Sequence, residues 1–150
     1  MPTGTLVLDA AGNLYGTTHF GGSGCSPGEC TGTVFKLDPS GNETVLHSFT
    51  GGSDGSLPWA GVALDAAGNI YGSTGNGGDL NCNLGNNSPP GCGVVFELNS
   101  TDEETVLYTF SNFSDGWVPG AIILDAAGDV YGPAGGGDYC DCGVVFKIVP

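Results

Sequence analysis

Three groups of side chains in this sequence could do chemistry: six cysteines, a recurring set of aspartates, and a few acids that do not recur. Cys25 and Cys30, Cys82 and Cys92, and Cys140 and Cys142 fall two to a loop. Zinc wants four Cys or His ligands converging on one point, and neither His19 nor His47 lies beside a closely spaced cysteine pair. Local disulfides are therefore expected for Cys25–Cys30 and Cys82–Cys92. Cys140 and Cys142, with one residue between them, would close a strained ring and could instead bond another chain.

Asp9, Asp65 and Asp125, with Asn13, Asn69 and Asp129, offer oxygen ligands for Ca²⁺. Each also stands where an aspartate caps a tight turn, a task the chain needs three times over, and capping is the expected role. No other cofactor is expected. Glu29, Asp79, Asp138 and Asp141 do not recur, but a glycosidase needs two carboxylates at a set separation, and nothing in their spacing specifies one. His47 stands where the next copy has Tyr108 and reads as a strand residue, while His19 is expected at the surface. Trp59 and Trp117 are expected to wedge between packed units; exposed, they would stack on sugars. No catalytic residue is assigned, and the chain is not expected to be an enzyme. Asn42, Asn86, Asn99 and Asn112 stand in Asn-x-Ser/Thr sequons and are glycosylation candidates.

The elements that must position these residues follow from internal repetition. Leu8-Asp9-Ala10-Ala11-Gly12-Asn13 returns at Leu64 and, ending in Asp129, at Leu124, at offsets of 56 and 60 residues. A second block recurs as Gly32-Thr33-Val34-Phe35-Lys36-Leu37, Gly93-Val94-Val95-Phe96-Glu97-Leu98 and Gly143-Val144-Val145-Phe146-Lys147-Ile148. A third, Glu43 to Phe49, recurs once as Glu104 to Phe110. Each unit resolves into short strands. The first (Leu6-Val7-Leu8 and its copies) is apolar on both faces, as in a strand buried from both sides. The second is apolar-Tyr-Gly. The third alternates Val34 and Lys36 against Phe35 and Leu37, and the fourth sets Val45, His47 and Phe49 opposite Leu46 and Ser48. Antiparallel four-stranded units repeated along a chain predict an all-β, β-propeller-like fold. The count is four, four and three strands, about 2.75 blades: blade 1 over 5–57, blade 2 over 58–118 and an incomplete blade 3 over 119–150, all in one repeat domain. The loop between second and third strands varies most and contains every cysteine, which makes that face the expected site of specificity.

Composition narrows the function classes. Only 2 Lys plus Arg stand against 16 Asp plus Glu, for a net charge of −14. That balance excludes nucleic acid, whose phosphates need clustered cations, and no apolar run is long enough for membrane insertion. With 29 Gly and 9 Pro, helix is disfavoured.

The run Leu-Asp-Ala-Ala-Gly-Asn-Leu-Tyr-Gly-Thr-Thr from Leu8, then Gly-Thr-Val-Phe-Lys-Leu from Gly32, then Glu-Thr-Val-Leu-His-Ser-Phe from Glu43 resembles the GloVer-type tandem repeat of bacterial secreted and surface proteins grouped as choice-of-anchor proteins. More distantly, the Asp-x-x-Gly-Asn-apolar-Tyr turn is similar to NHL-like β-propeller repeats. The resemblance implies a β-propeller and an extracellular or cell-surface life, and it supplies no catalytic residues. Fewer than three complete units are present, with no visible secretion signal. Closed propellers take at least four blades, so completion by oligomerisation is expected, as a six-bladed ring of two copies or as a filament, the alternative being that these residues are one segment of a longer propeller. The functional expectation is a structural or interaction protein that assembles with copies of itself and presents cysteine-clipped loops. The alternatives are a lectin-like propeller binding glycans and, behind it, a glycosidase or lyase.

Overall fold

The fold was taken from a computed structural model, which describes residues 1–23, 30–82, 89–111, 115–136 and 142–150. Eleven strands and no helix are present among them. β1 (Pro2–Leu8), β2 (Leu14–Thr18), β3 (Thr33–Leu37) and β4 (Glu43–Ser48) form one sheet in chain order. β5 (Ala63–Leu64), β6 (Ile70–Ser73), β7 (Val94–Leu98) and β8 (Glu104–Thr109) form the second, and β9 (Ile123–Leu124), β10 (Val130–Ala134) and β11 (Val144–Ile148) the third. Every pairing is antiparallel between strands consecutive in sequence. Three such sheets, one behind another, are three blades of a β-propeller-type fold.

One packing rule explains why each second strand reads Tyr-Gly and each third strand carries Phe. Gly16, Gly72 and Gly132 pair directly with Phe35, Phe96 and Phe146. A Cβ at Gly72 would come within 2.4 Å of the Phe96 ring, and one at Gly132 within 2.6 Å of Phe146. The ring therefore lies on bare backbone, an arrangement only glycine permits. The exposed edge of that ring then meets the preceding blade: Phe49 packs edge-on to Phe96 at 5.2 Å, and Phe110 edge-on to Phe146 at 5.4 Å.

The two hydrophobic clusters lie at the two blade junctions. Val34, Leu46 and Phe49 of blade 1 meet Ile70, Val94, Phe96 and Leu98 of blade 2. Tyr71, Val95 and Phe110 of blade 2 meet Ile122, Val130 and Phe146 of blade 3. The loops joining blades repeat as well. The Leu57 amide donates to the Thr31 carbonyl (2.7 Å) and the Val118 amide to the Cys92 carbonyl (2.9 Å). Both residues take the left-handed backbone, φ 53° and 46°, a strain of about 1–3 kcal/mol each that the packed junction must hold.

Two sequence expectations are corrected here. The first strands of blades 1 and 3 are not buried from both sides, with Leu8 64% exposed and Ile123 68%, whereas that of blade 2 packs on both, Val62 and Leu64 in one junction and Ala63 in the other. An innermost strand contacts its own sheet and the adjoining blades, and Leu8 and Ile123 project where no other blade lies among the described residues. The fourth strand does not alternate throughout. Val34 pairs with His47 and Phe35 with Val45, so a β-bulge at Leu46 breaks the register, and the same shift recurs at Leu107. The extra residue reverses the strand's phase. Val45 points out of blade 1, while Leu46 and Phe49 both join the junction with blade 2.

Candidate functional site

The recurring aspartates cap their own turns. Asp65 Oδ1 accepts the amides of Ala67 (2.9 Å) and Asn69 (2.8 Å), and its Oδ2 accepts the Asn69 side-chain amide (2.9 Å) and the Tyr71 hydroxyl (3.4 Å). Asp9 repeats this set with Ala11, Asn13 and Tyr15, and these donors hold its carboxyl below the ordinary range. Asp125 accepts the amides of Ala127 and Asp129 and the Tyr131 hydroxyl, without the side-chain amide that Asn13 and Asn69 supply. Successive turns line shallow grooves, but each carboxylate spends its oxygens inside its own turn rather than pointing them at a common centre. Asn42 and Asn99 sit in the corresponding turns between third and fourth strands. The Asn42 side chain donates to Asp38 (2.8 Å), and Asn99 Oδ1 accepts the amides of Thr101 and Glu103.

The opposite end of the blades carries the variable loops. Cys82 and Cys92 form a disulfide with Cα atoms 5.7 Å apart, within the normal span, as the two-per-loop spacing predicts. Cys30 is in a disulfide, and Cys142 is in one too. Cys25, Glu29, Asn86, Asn112, Asp138, Cys140 and Asp141 lie outside the described residues. Asp79 caps a local turn, accepting the Asn81 amide at 3.0 Å.

Two expectations for this end are reversed. His19, expected at the surface, is 4% exposed, because it occupies the position of Gly75 and Gly135 at the blade junction and Trp59 lies over it, ring centres 4.0 Å apart. Burial pushes its imidazole below the ordinary value. Trp59, expected to be buried, is 51% exposed. It reaches across from blade 1's His19 to Gly75 of blade 2, where a Cβ would come within 2.4 Å of its ring. Trp117 is half-buried and covers the equivalent Gly135, joining the second core cluster.

A third grouping was not anticipated from the sequence. His47 (β4), Asp54 (the loop leaving blade 1) and Glu104 (β8) each bring one ligating atom within 4.8 Å of the others. His47 Nε2 lies 3.6 Å from Asp54 Oδ2 and 3.7 Å from Glu104 Oε2. Asp54 is held by Thr50, whose amide and hydroxyl donate to its two oxygens at 2.6 Å each. The bulge at Leu46 re-phases β4, and Glu104 comes from the neighbouring blade, so the cluster spans the blade 1–blade 2 junction. Burial, with Asp54 adding to it, pushes the Glu104 carboxyl up to about 7. Burial also lowers the His47 imidazole despite the Asp54 charge beside it. The one sequence signal was the substitution of histidine for the Tyr108 of the next copy, where the tyrosine hydroxyl donates directly to Asp115 at 3.1 Å.

Repeated four-stranded blades with glycine-seated aromatics define a β-propeller-type repeat protein. The chain belongs to the Gloeobacter/Verrucomicrobia repeat family, whose model matches residues 2–150. Among solved structures, the fold is similar to the crystal structure of a protein provisionally named a gluconolactonase, at TM-score 0.50 and 21% identity. That alignment covers 87% of this chain and 40% of the other, so this chain spans well under half of that relative. No curated protein matches the sequence. No helix among the described residues is long and apolar enough to cross a membrane.

Proposed function

We propose that this chain is a non-enzymatic, extracellular repeat module that works by associating with copies of itself while presenting its disulfide-clipped loops. One comparison carries the reading: Val95 of blade 2 is 0% exposed, whereas Val145, the same repeat position in blade 3, is 82% exposed. Inside the chain, the Val34 or Val95 face of one blade receives the Phe96 or Phe146 face of the next. The outer face of blade 3 is of the first kind, with Ile123 and Val145 exposed beside a small apolar hollow. The outer face of blade 1 is of the second kind, bearing half-buried Phe35 and exposed Leu6, Leu8 and Val45. One copy's third blade and another's first are thus the two halves of a junction the chain already makes twice. Such a contact is heterologous, giving a ring where the rotation closes and a filament where it does not. β11 pairs only with β10 among the described strands, which leaves an open edge beside that face. The Cys82–Cys92 disulfide supports an oxidising, extracellular setting.

Light scattering on the oxidised protein should find dimers or polymers. Val145→Asp should return it to monomer without unfolding it, since the side chain is already exposed in the single chain. A wild-type monomer at every concentration would sink the reading.

The exposed ring of Trp59 favours a second reading, a lectin-like surface on which a neutral sugar stacks. Glycan-array binding that disappears in Trp59→Ala would establish it, and an array blank for the wild type would dismiss it.

A further inference from the structure

We propose that His47, Asp54 and Glu104 form a binding site for a divalent transition-metal cation of the zinc type, which ties blade 1 to blade 2. Nothing in the proposed self-association depends on it. The separations are the first argument. At 3.6 and 3.7 Å, His47 Nε2 is too far from either carboxylate for a hydrogen bond. Around a tetrahedral ion with bonds of about 2.0–2.1 Å, neighbouring ligand atoms stand roughly 3.4 Å apart. The imidazole nitrogen thus stands from each carboxylate at close to the spacing of two ligands on one ion, and all three ligating atoms lie within 4.8 Å of one another.

The second argument is independent of the first. His47 Nε2 and Glu104 Oε1 are both sealed from solvent, and neither has a hydrogen-bond partner. Buried polar atoms are nearly always satisfied, and each orphan costs about 1–3 kcal/mol. A cation at the centre of the cluster satisfies the imidazole nitrogen and gives the Glu104 carboxylate a counter-charge.

Local chemistry agrees. Two carboxylates are brought together in a chain with only 2 Lys plus Arg, and neither Lys36 nor Lys147 is paired with them. Asp54 is already oriented by two donors from Thr50, as outer-shell groups orient metal ligands elsewhere. His47 is braced edge-on against Phe49, ring centres 4.7 Å apart. One imidazole with two carboxylates suits Zn²⁺ or a neighbouring transition metal, whereas Ca²⁺ and Mg²⁺ call for all-oxygen sets. At the corresponding place in blade 2 the Tyr108 hydroxyl donates directly to Asp115.

The test uses the full chain after chelation, titrated with ZnCl₂ and, separately, with CaCl₂ and MgCl₂. Calorimetry should find one zinc equivalent binding well above the diffuse background of the acidic surface, with calcium and magnesium giving background alone. His47→Gln and Glu104→Gln should each weaken that equivalent by more than the roughly 10–100-fold lost with an outer-shell partner, and Tyr108→Phe should leave it intact. A readout on the unmutated protein guards against misfolded variants. The chain has only 2 histidines, so the imidazole proton resonances of His47 should shift saturably at one equivalent while those of buried His19 stay put. Zinc uptake equal in wild type and both variants, or no movement of the His47 resonances, overturns the proposal.

Discussion

Phe96→Ala is expected to destabilise the protein by about 3–5 kcal/mol, the range for emptying a fully buried aromatic site. Against the 5–15 kcal/mol typical of a domain, that brings the chain close to its unfolding threshold. The side chain is 0% exposed, rests on the bare backbone of Gly72, and meets Phe49 across the blade junction. Neither side can collapse into the gap, because one is a paired strand and the other belongs to a different sheet. Phe35→Ala is the internal comparison. It sits on Gly16 in the same register, but within a single chain no other blade among the described residues packs against it, so in the monomeric Val145→Asp background its loss should cost about half as much or less. Denaturant melts of both variants, with unchanged slope, measure the difference. Equal losses would mean that the glycine seat within a sheet, rather than the junction between sheets, carries the stability.

The second large effect is a pH dependence located at Glu104. Its carboxyl is pushed up from 4.5 to about 7 by burial, with the nearby Asp54 charge contributing. The folded chain therefore binds this proton more tightly than the unfolded chain does. The stabilisation is complete below pH 4.5 and is lost as pH rises through about 7. A shift of this size corresponds to about 3 kcal/mol across that window. His19 and His47, both lowered from 6.5 chiefly by burial, act in the opposite sense: their folded forms resist protonation, so their contribution grows as pH rises toward 6.5. The diagnostic is therefore the stability of wild type minus that of Glu104→Gln, measured in chelator from pH 4 to 8. The two proteins should be similar near pH 4.5, with the glutamine variant the more stable at pH 8 by up to about 3 kcal/mol. A wild type more stable than the variant at pH 8 would mean that the ionised carboxylate is held favourably in the metal-free chain.

Much of the architecture was legible because repeats state local rules several times. The Asp-Ala-Ala-Gly turns were readable from one copy, since an aspartate accepting amides two and four residues ahead is a local arrangement, and Asp9, Asp65 and Asp125 all adopt it. The third-strand alternation was equally readable, with Val34 and Val95 each facing the following blade. The Cys82–Cys92 bridge followed from two cysteines sharing one short loop. Periodicity failed at the fourth strand, because a bulge inserts a residue without any compositional mark. His47 and Phe49 do share a face, but strict alternation wrongly places Val45 with them and Leu46 against them for that reason.

What the sequence determined by itself is what short-range stereochemistry controls: the strands, their turns, the number of units and the loops that hold the cysteines. The tertiary structure alone decided which faces meet. His19 is buried because Trp59 crosses from the next unit's entry loop to cover it, and Trp59 is exposed because that crossing leaves its outer face in solvent. His47 and Glu104 belong to different copies of the repeat, and no spacing rule links them. They come together because two sheets pack at one angle, with a bulged strand turning the imidazole toward the neighbouring blade. Contacts between blades depend on rigid-body placement summed over dozens of residues, and a one-dimensional pattern carries no record of that placement.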